Sequence, residues 1–219
     1  MYIPPSFRED DRATLHAMVR DARLSILVSN GADGFPEISY LPLLFDEADG
    51  AHGSLLGHLA RANPHWKSLA ETPKATVIFK GADAYVSPAW YPTKQVHHRH
   101  VPTWNYEAVH AVCRVEVFDD AARLRDVVAR LTDRYEAGRA DPWTIDQAPA
   151  EFIEAMLRAI VGVKLWIEEL HGKRKLSQNR APEDRQGVRD ALAASPDPGD
   201  QGVLRSMREL HGKEKPSSE

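Results

Sequence analysis

Three segments of the chain contain more polar and aromatic side chains than packing alone requires. The first of them reads Gly57-His58-Leu59-Ala60-Arg61-Ala62-Asn63-Pro64-His65-Trp66. Its pattern predicts a strand that ends where a helix begins, and backbone N–H groups at the start of a helix are free to bind an anion. Arg61 can hold a phosphate with two hydrogen bonds, and His58 can donate a further one. A solvated corner in which Asn63 caps the helix explains the same residues equally well, so the two alternatives stay open.

The second segment is a proline-rich loop flanked by aromatic side chains. Trp90 and Tyr91 lie near its beginning, Trp104 and Tyr106 lie just beyond its end, and it carries three prolines between residues 88 and 102. Aromatic rings suit stacking on a flat ligand or burial in a subunit interface. A loop pinned by its own aromatics is the alternative. Because this much apolar surface needs a cover, we favour a ligand or a partner.

The third segment is basic. Four cations occur among the ten residues from His171 to Arg180, interleaved with Ser177, Gln178 and Asn179. Such a set can contact an anion or the edge of a nucleobase. A run of this kind is more often a solvated exit from a strand, and the residues alone favour that simpler interpretation.

Two other kinds of chemistry find little support. The cluster His97-His98-Arg99-His100 has no carboxylate at ligand spacing, so we predict no metal site there. Cys113 lies on the apolar face of a predicted strand, which indicates a core residue rather than a nucleophile. The chain lacks a GxSxG motif, and we assign no catalytic residue.

Composition limits the class of protein further. The 219 residues include 28 basic and 32 acidic side chains, a net charge of −4 with neutral histidines. This balance argues against a protein whose main work is neutralising DNA phosphates. A single cysteine excludes an intrachain disulfide and fits a reducing compartment. The chain shows neither a signal peptide nor a membrane-spanning apolar run, so we predict a soluble, cytoplasmic protein.

Hydrophobic periodicity indicates the elements that must position these segments. Strands are predicted at residues 24–29, 37–45, 54–59, 75–79, 85–87, 109–117 and 161–167, with residues 75–79 and 85–87 forming a hairpin across Gly81. Helices are predicted at residues 10–23, from Pro64, after Asp120, and at 149–159, 183–194 and 202–210. Strands joined as hairpins, with helices inserted late, predict an α+β domain on an antiparallel sheet or small barrel. Rossmann and P-loop folds are excluded because neither glycine-rich motif is present.

Taken in order, several stretches resemble the PaiB family, whose members are also called FMN-binding negative transcriptional regulators. The matching residues are Met1-Tyr2-Ile3-Pro4-Pro5-Ser6-Phe7, Gly57 to Pro64, Tyr85-Val86-Ser87-Pro88 with Trp90-Tyr91, Val101-Pro102-Thr103-Trp104-Asn105-Tyr106, and Lys173 to Arg180. The resemblance covers nearly the whole chain.

This resemblance implies a split β-barrel like that of pyridoxamine-phosphate-oxidase-like flavoproteins, with peripheral helices and a helical C-terminal tail. It implies a homodimer with FMN at the subunit interface. The residues implied to contact FMN are His58, Arg61, Asn63, Lys80, Ser87, Trp90, Tyr91, Trp104, Asn105, Tyr106, Lys175, Gln178 and Asn179. We expect residues 1–180 to form the barrel domain, 181–212 a helical extension of it, and 213–219 a disordered tail.

Two functions remain open, and a third possibility is a dimer whose cofactor site is degenerate or empty. A flavin-binding repressor of transcription is the first, although no helix-turn-helix motif and no basic excess supports direct contact with DNA. The alternative is an enzyme, either a flavin-dependent oxidoreductase or a haem-handling protein, and whether the protein is an enzyme stays undecided. In either case the redox chemistry would belong to the cofactor.

Overall fold

The structure, a computed structural model, describes residues 1–212. The tail predicted at residues 213–219 lies outside the described residues. Within residues 1–212, eight strands form one sheet: β1 (Arg8–Glu9), β2 (Ser25–Asn30), β3 (Pro36–Leu41), β4 (Leu44–Asp46), β5 (Ser54–Ala60), β6 (Lys74–Val86), β7 (Thr103–Phe118) and β8 (Ile160–Lys175). Their order is β3-β2-β6-β7-β8-β5-β4, and β1 pairs with β8. The predicted α+β class with an antiparallel sheet is confirmed.

Seven α-helices accompany these strands within residues 1–212, and the last two of them follow β8. They are α1 (Arg12–Asp21), α2 (His65–Glu71), α3 (Lys94–His97), α4 (Ala121–Glu136), α5 (Ala150–Arg158), α6 (Pro182–Ala194) and α7 (Pro198–Gly212). Asp120 caps α4 by accepting a hydrogen bond from the Arg123 backbone N–H at 2.8 Å, as helix starts favour. No helix in the described part of the chain is long and apolar enough to cross a membrane.

The chain packs as two compact units. The central unit contains residues 12–79 and 109–171, and the terminal unit contains residues 1–11, 80–108 and those from Gly172 onward. The core of the central unit includes Cys113, which is 1% exposed, and burial raises the pKa of its thiol to about 12. The predicted core role of Cys113 is therefore confirmed. The core of the terminal unit joins Tyr91 and Leu176 to apolar residues of α6 and α7.

The predicted hairpin across Gly81 is wrong, because residues 74–86 form the single strand β6. Gly81 has no left-handed φ, so it does not turn the chain. A Cβ added at Gly81 would lie 2.9 Å from the Cβ of Glu107. Glycine is therefore needed here for close approach to the neighbouring backbone, a role that a sequence pattern does not separate from a turn.

The interpretation of the basic segment as a solvated exit is also wrong. Strand β8 continues to Lys175, and the residues after Ile167 keep their strand conformation. Lys173 and Arg174 are 7% and 4% exposed. Buried cations need partners, so this stretch is part of the packed structure rather than a solvated surface.

Candidate functional site

In the central unit, His58 lies in β5 opposite Gly162 of β8. The imidazole Nδ1 of His58 is buried and has no hydrogen-bond partner within residues 1–212. Burial lowers the pKa of His58, which favours its neutral form. A buried ring nitrogen without a partner is costly, so His58 can offer a hydrogen bond to a ligand or to water.

Arg61 ties the start of β8 to the end of α5. Its Nε donates to the carbonyl of Arg158 at 2.8 Å and its Nη2 donates to the carbonyl of Ile160 at 3.0 Å. The carbonyl of Arg61 accepts a hydrogen bond from the Trp66 indole at 3.0 Å. These bonds use part of the guanidinium for the fold and leave its remaining N–H groups for an anion.

Asn63 begins a buried network at the start of α2. Its Oδ1 accepts from the backbone N–H of His65 at 3.1 Å, and its Nδ2 donates to Ser39 Oγ at 3.0 Å. The two ring nitrogens of His65 lie 3.0 Å from Ser29 Oγ and 2.8 Å from Ser39 Oγ. Asn63 therefore organises this corner from inside the central unit, and sequence analysis did not find His65 because its serine partners are distant in sequence.

In the terminal unit, alternation along β7 separates Trp104 and Tyr106 from Asn105. Trp104 is exposed and meets Tyr85 edge to face, with ring centroids 6.0 Å apart. The ammonium of Lys173 lies 5.0 Å from the centroid of the Tyr106 ring. Because the ring planes of Trp104 and Tyr85 are 74° apart, the two rings do not form one flat surface, and each can offer its own face or edge to a ligand.

Lys175 brings a cation to the same unit. Its Nζ donates to Thr103 Oγ1 at 2.6 Å and to the carbonyl of Trp104. Burial lowers the pKa of Lys175, and the nearby cations Arg180 and Lys173 lower it further. Like charges held together in this way favour an anion between them.

Two predicted residues, Asn105 and Gln178, form hydrogen bonds with the turn after β8. Asn105 is buried and donates to Ser177 Oγ at 3.0 Å. Gln178 closes the turn, with its Oε1 accepting from the Leu176 N–H at 2.7 Å. Ser177 has a φ of +66°, a left-handed conformation that is uncommon outside glycine and concentrates at functional sites. Asn179 is exposed beside it.

Of the remaining predicted residues, Ser87, Trp90 and Tyr91 lie at the start of the proline-rich loop, and Lys80 lies in β6. Ser87 Oγ accepts from the Ala89 N–H at 3.2 Å at the start of a 3₁₀ helix, Pro88–Trp90. Lys80 is exposed and forms an ion pair with Asp83 at 2.6 Å. Tyr91 is 2% exposed, and burial raises the pKa of its hydroxyl.

The predicted residues thus fall into two sets. His58, Arg61 and Asn63 lie in the central unit, and the other ten lie in the terminal unit. Sequence analysis missed Lys173 and Ser177 as members of the second set, although both stand inside the basic segment. A group of three or more metal-binding side chains is not found among residues 1–212, the His97–His100 stretch included.

Comparisons with known proteins give a consistent answer. The family described as "Putative FMN-binding domain" matches residues 1–169. "Protease synthase and sporulation protein PAI 2" of Bacillus subtilis is 30% identical over 209 residues, which cover 95% of this chain and 97% of that protein.

Solved structures show the same fold at low identity. The conserved hypothetical protein Rv2991 of Mycobacterium tuberculosis has a TM-score of 0.57 and 14% identity, covering 83% of this chain and 94% of that one. The FAD and heme binding protein of Mycobacterium smegmatis has a TM-score of 0.54 and 20% identity, covering 86% and 80%. The predicted split-barrel fold is therefore confirmed. With the family match over residues 1–169 and the relatedness to PAI 2 along nearly the whole length, this chain belongs to the FMN-binding, PaiB-like family of split-barrel proteins, and FMN is its cofactor.

Proposed function

We propose that this chain is a homodimeric, FMN-dependent regulatory protein that binds the FMN phosphate at Lys175 and Arg180. The observation that carries the proposal is the group of cations around Lys175, which lies beside exposed aromatic rings in the terminal unit. A regulatory role is supported by the relative whose name links it to protease synthesis and sporulation.

The chemistry of these residues fits FMN. A phosphate needs cations and N–H donors, and Lys175 keeps one donor beyond its bonds to Thr103 and Trp104. An isoalloxazine ring needs an aromatic face on which to stack, and the exposed indole of Trp104 offers one. When bound, FMN supplies one- and two-electron redox chemistry, while the protein supplies binding and electrostatics.

The test of this function is the visible spectrum of the purified protein together with FMN released on denaturation. We expect flavin absorption near ~450 nm and close to one FMN per chain. A protein that stays colourless and does not take up added FMN would exclude the proposal. Steady oxidation of NAD(P)H by the loaded protein would instead assign it to the oxidoreductases.

Replacement of Lys175 by alanine is expected to weaken FMN binding roughly 10- to 100-fold, because a hydrogen bond to a charged group contributes about 1.5–3 kcal/mol. The measurement is a fluorescence titration of apoprotein with FMN. Lys175→Arg keeps the charge and should retain most of the affinity. Lys74→Ala, at an exposed lysine in the central unit, is the matched control.

Unchanged affinity in Lys175→Ala would place the phosphate elsewhere. Because Lys175 also binds Thr103 and Trp104, urea unfolding of each apoprotein separates lost binding from lost stability. A variant that unfolds at the same urea concentration as wild type and still binds weakly has lost a ligand contact.

An apolar sheet face supports the homodimer. Strand β3 is an edge strand, and it exposes Ile38 and Tyr40, which are 55% and 67% exposed. Their partners on β2 are Val28 and Ile26, and Ile78 of β6 continues the row beside Ile26. Paired residues of a sheet share a face, so these side chains form one apolar surface. Surfaces of this kind mark subunit contacts.

Ile38→Asp combined with Tyr40→Asp is expected to convert the dimer to a monomer, because two carboxylates would be desolvated in each half of the interface. Light scattering after size exclusion should show a mass near 24.5 kDa instead of twice that value. Phe152→Asp, which changes an exposed apolar residue on α5, is the control and should leave the dimer intact. A wild-type protein that is monomeric would contradict this interface.

Direct binding to DNA is not part of this proposal. The net charge is −4, and Lys173 and Arg174, two cations of the basic segment, are buried in β8. We expect no mobility shift with DNA at physiological salt. A shift that weakens steeply with added salt would show electrostatic contact with phosphates and revise this point.

A further inference from the structure

Thr93 joins an aspartate to a histidine in the terminal unit. The backbone N–H of Thr93 donates to Asp184 Oδ1 at 3.1 Å, and its hydroxyl donates to Asp184 Oδ2 at 2.7 Å. His100 Nε2 lies 2.8 Å from the same hydroxyl oxygen. Asp184 is 2% exposed and stands in the first turn of α6, where the helix dipole favours a negative charge. Thr93 is thus held from both sides.

These contacts determine where the proton of His100 lies. An ionised carboxylate only accepts hydrogen bonds, so the Thr93 hydroxyl must give its proton to Asp184. The hydroxyl oxygen can then only accept from His100, which requires a proton on Nε2. In the neutral imidazole, Nδ1 is therefore left with a lone pair.

The Nδ1 lone pair of His100 is buried, and the neighbouring ring of Tyr91 carries a second buried polar atom, its hydroxyl oxygen. In the described part of the chain, His100 Nδ1 and the Tyr91 hydroxyl have no partner in hydrogen-bond geometry. Burial raises the pKa of Tyr91, and the nearby Arg180 guanidinium opposes that rise. The two rings are close, with centroids 4.7 Å apart. The Arg180 guanidinium lies over the face of Tyr91, 5.1 Å from its centroid, and His97 lies 5.0 Å from His100. Buried polar groups of this kind are normally paired, so we expect a water or a ligand to donate to His100 Nδ1.

We propose that Asp184 is a positioning residue that, through Thr93, fixes His100 as a hydrogen-bond acceptor for bound FMN. The Nδ1 lone pair would accept from a ribityl hydroxyl or ring N–H of the flavin, and the Tyr91 hydroxyl would bind beside it. This inference rests on the proposed function. It gives α6, which lies beyond residues 1–169 matched by the family, a role in cofactor binding.

The hydrogen bonds from Asp184 through Thr93 to His100 form a relay that sets the tautomer of His100. Asp184→Asn tests this relay with almost no change in the shape of the side chain. The new amide N–H would face the Thr93 hydroxyl, which must then donate its proton to His100 Nε2. The imidazole proton moves to Nδ1, and the acceptor becomes a donor. Histidine ¹⁵N–¹H correlation spectra of the apoprotein at alkaline pH should show Nε2–H for His100 in wild type and Nδ1–H in the variant. His100→Gln identifies the signal.

The same variant should bind FMN roughly 10-fold more weakly, the loss expected for one hydrogen bond. Asp190→Asn, at an exposed position of the same helix, should change neither the spectrum nor the affinity. Thr93→Val removes the hydroxyl that connects Asp184 to His100 and introduces no new amide. It replaces Asp184→Asn as the test variant if Asp184→Asn does not fold.

The two measurements separate the control of the His100 tautomer by Asp184 from the role of His100 in flavin binding. A wild-type His100 that carries its proton on Nδ1 overturns the relay. A changed tautomer with unchanged FMN affinity overturns the role in flavin binding while leaving the proposed function intact. A wild-type protein that binds no FMN overturns the proposed function, whereas the tautomer of the apoprotein still reports whether Asp184 controls His100.

Discussion

Truncation of Glu107 to alanine is expected to lower the free energy of unfolding by about 3–5 kcal/mol, because it leaves a buried cation without its main partner. Glu107 accepts from Arg174 Nε at 2.5 Å and from Ser206 Oγ at 2.5 Å. Glu107 is 7% exposed and the Arg174 side chain 5%. Two further carboxylates lie near Arg174, Glu9 at 3.6 Å and the exposed Glu209 at 3.8 Å, and at these distances they replace little of the lost bond. Urea unfolding at fixed protein concentration measures the effect.

The same strand offers a matched control. Glu116 of β7 binds Arg123 through two hydrogen bonds of 2.8 and 3.1 Å, but both side chains are more than a third exposed. Exposed ion pairs contribute about 0–1 kcal/mol, so Glu116→Ala should change stability little. Equal losses in the two variants would contradict the importance of burial. Glu107→Leu combined with Arg174→Met should recover much of the stability, since a buried pair can be replaced by packed apolar groups.

Replacement of Gly187 by alanine is expected to destabilise the protein by about 1–3 kcal/mol, the cost of overpacking a filled space. In an exposed helix the same change would stabilise by about 1 kcal/mol. Here the added Cβ would lie 2.0 Å from the carbonyl oxygen of Trp90 and 3.1 Å from Pro92. Because the nearer atom belongs to the backbone, a side-chain rotation cannot relieve the clash. The proline-rich loop and α6 must therefore separate.

Thermal unfolding and FMN titration check this prediction together. Since Gly187 holds the loop that carries Trp90 and Tyr91, the affinity for FMN should fall along with the stability. Gln186→Ala, at the neighbouring exposed position, is the control and should affect neither measurement. An increase in stability in Gly187→Ala would show that helix propensity outweighs the contact with Trp90.

Elements with one buried face were predictable from local patterns. The alternation around Cys113 predicted β7, and the apolar stripe beginning at Leu124 predicted α4 with Asp120 at its start. In each case the spacing of the apolar residues identifies the element, because it repeats every two residues in a strand and every 3.6 residues in a helix. The fold class and the resemblance to a flavin-binding family followed from the same local information.

Positions controlled by distant residues were not predictable in this way. The local pattern predicts a turn at Gly81, although the close approach of Glu107, 26 residues away, requires a glycine there. The local pattern also favours a solvated basic segment, because the partner of Arg174 is a carboxylate on another strand. For His100 the neighbouring histidines suggest only a metal ligand, since its connection to Asp184 spans 84 residues.

Residue types at short spacing were sufficient to predict the antiparallel α+β class and the core role of Cys113, and the resemblance of motifs along the chain identified an FMN-binding family. The three-dimensional structure was needed to distinguish the polar side chains that are already satisfied from those that still need a partner. Asn105 and Gln178 are paired within the chain, whereas His58, Tyr91 and His100 each keep a buried atom without a partner in hydrogen-bond geometry among the described residues. This difference arises because hydrogen-bond satisfaction depends on positions in space, which a linear sequence does not specify.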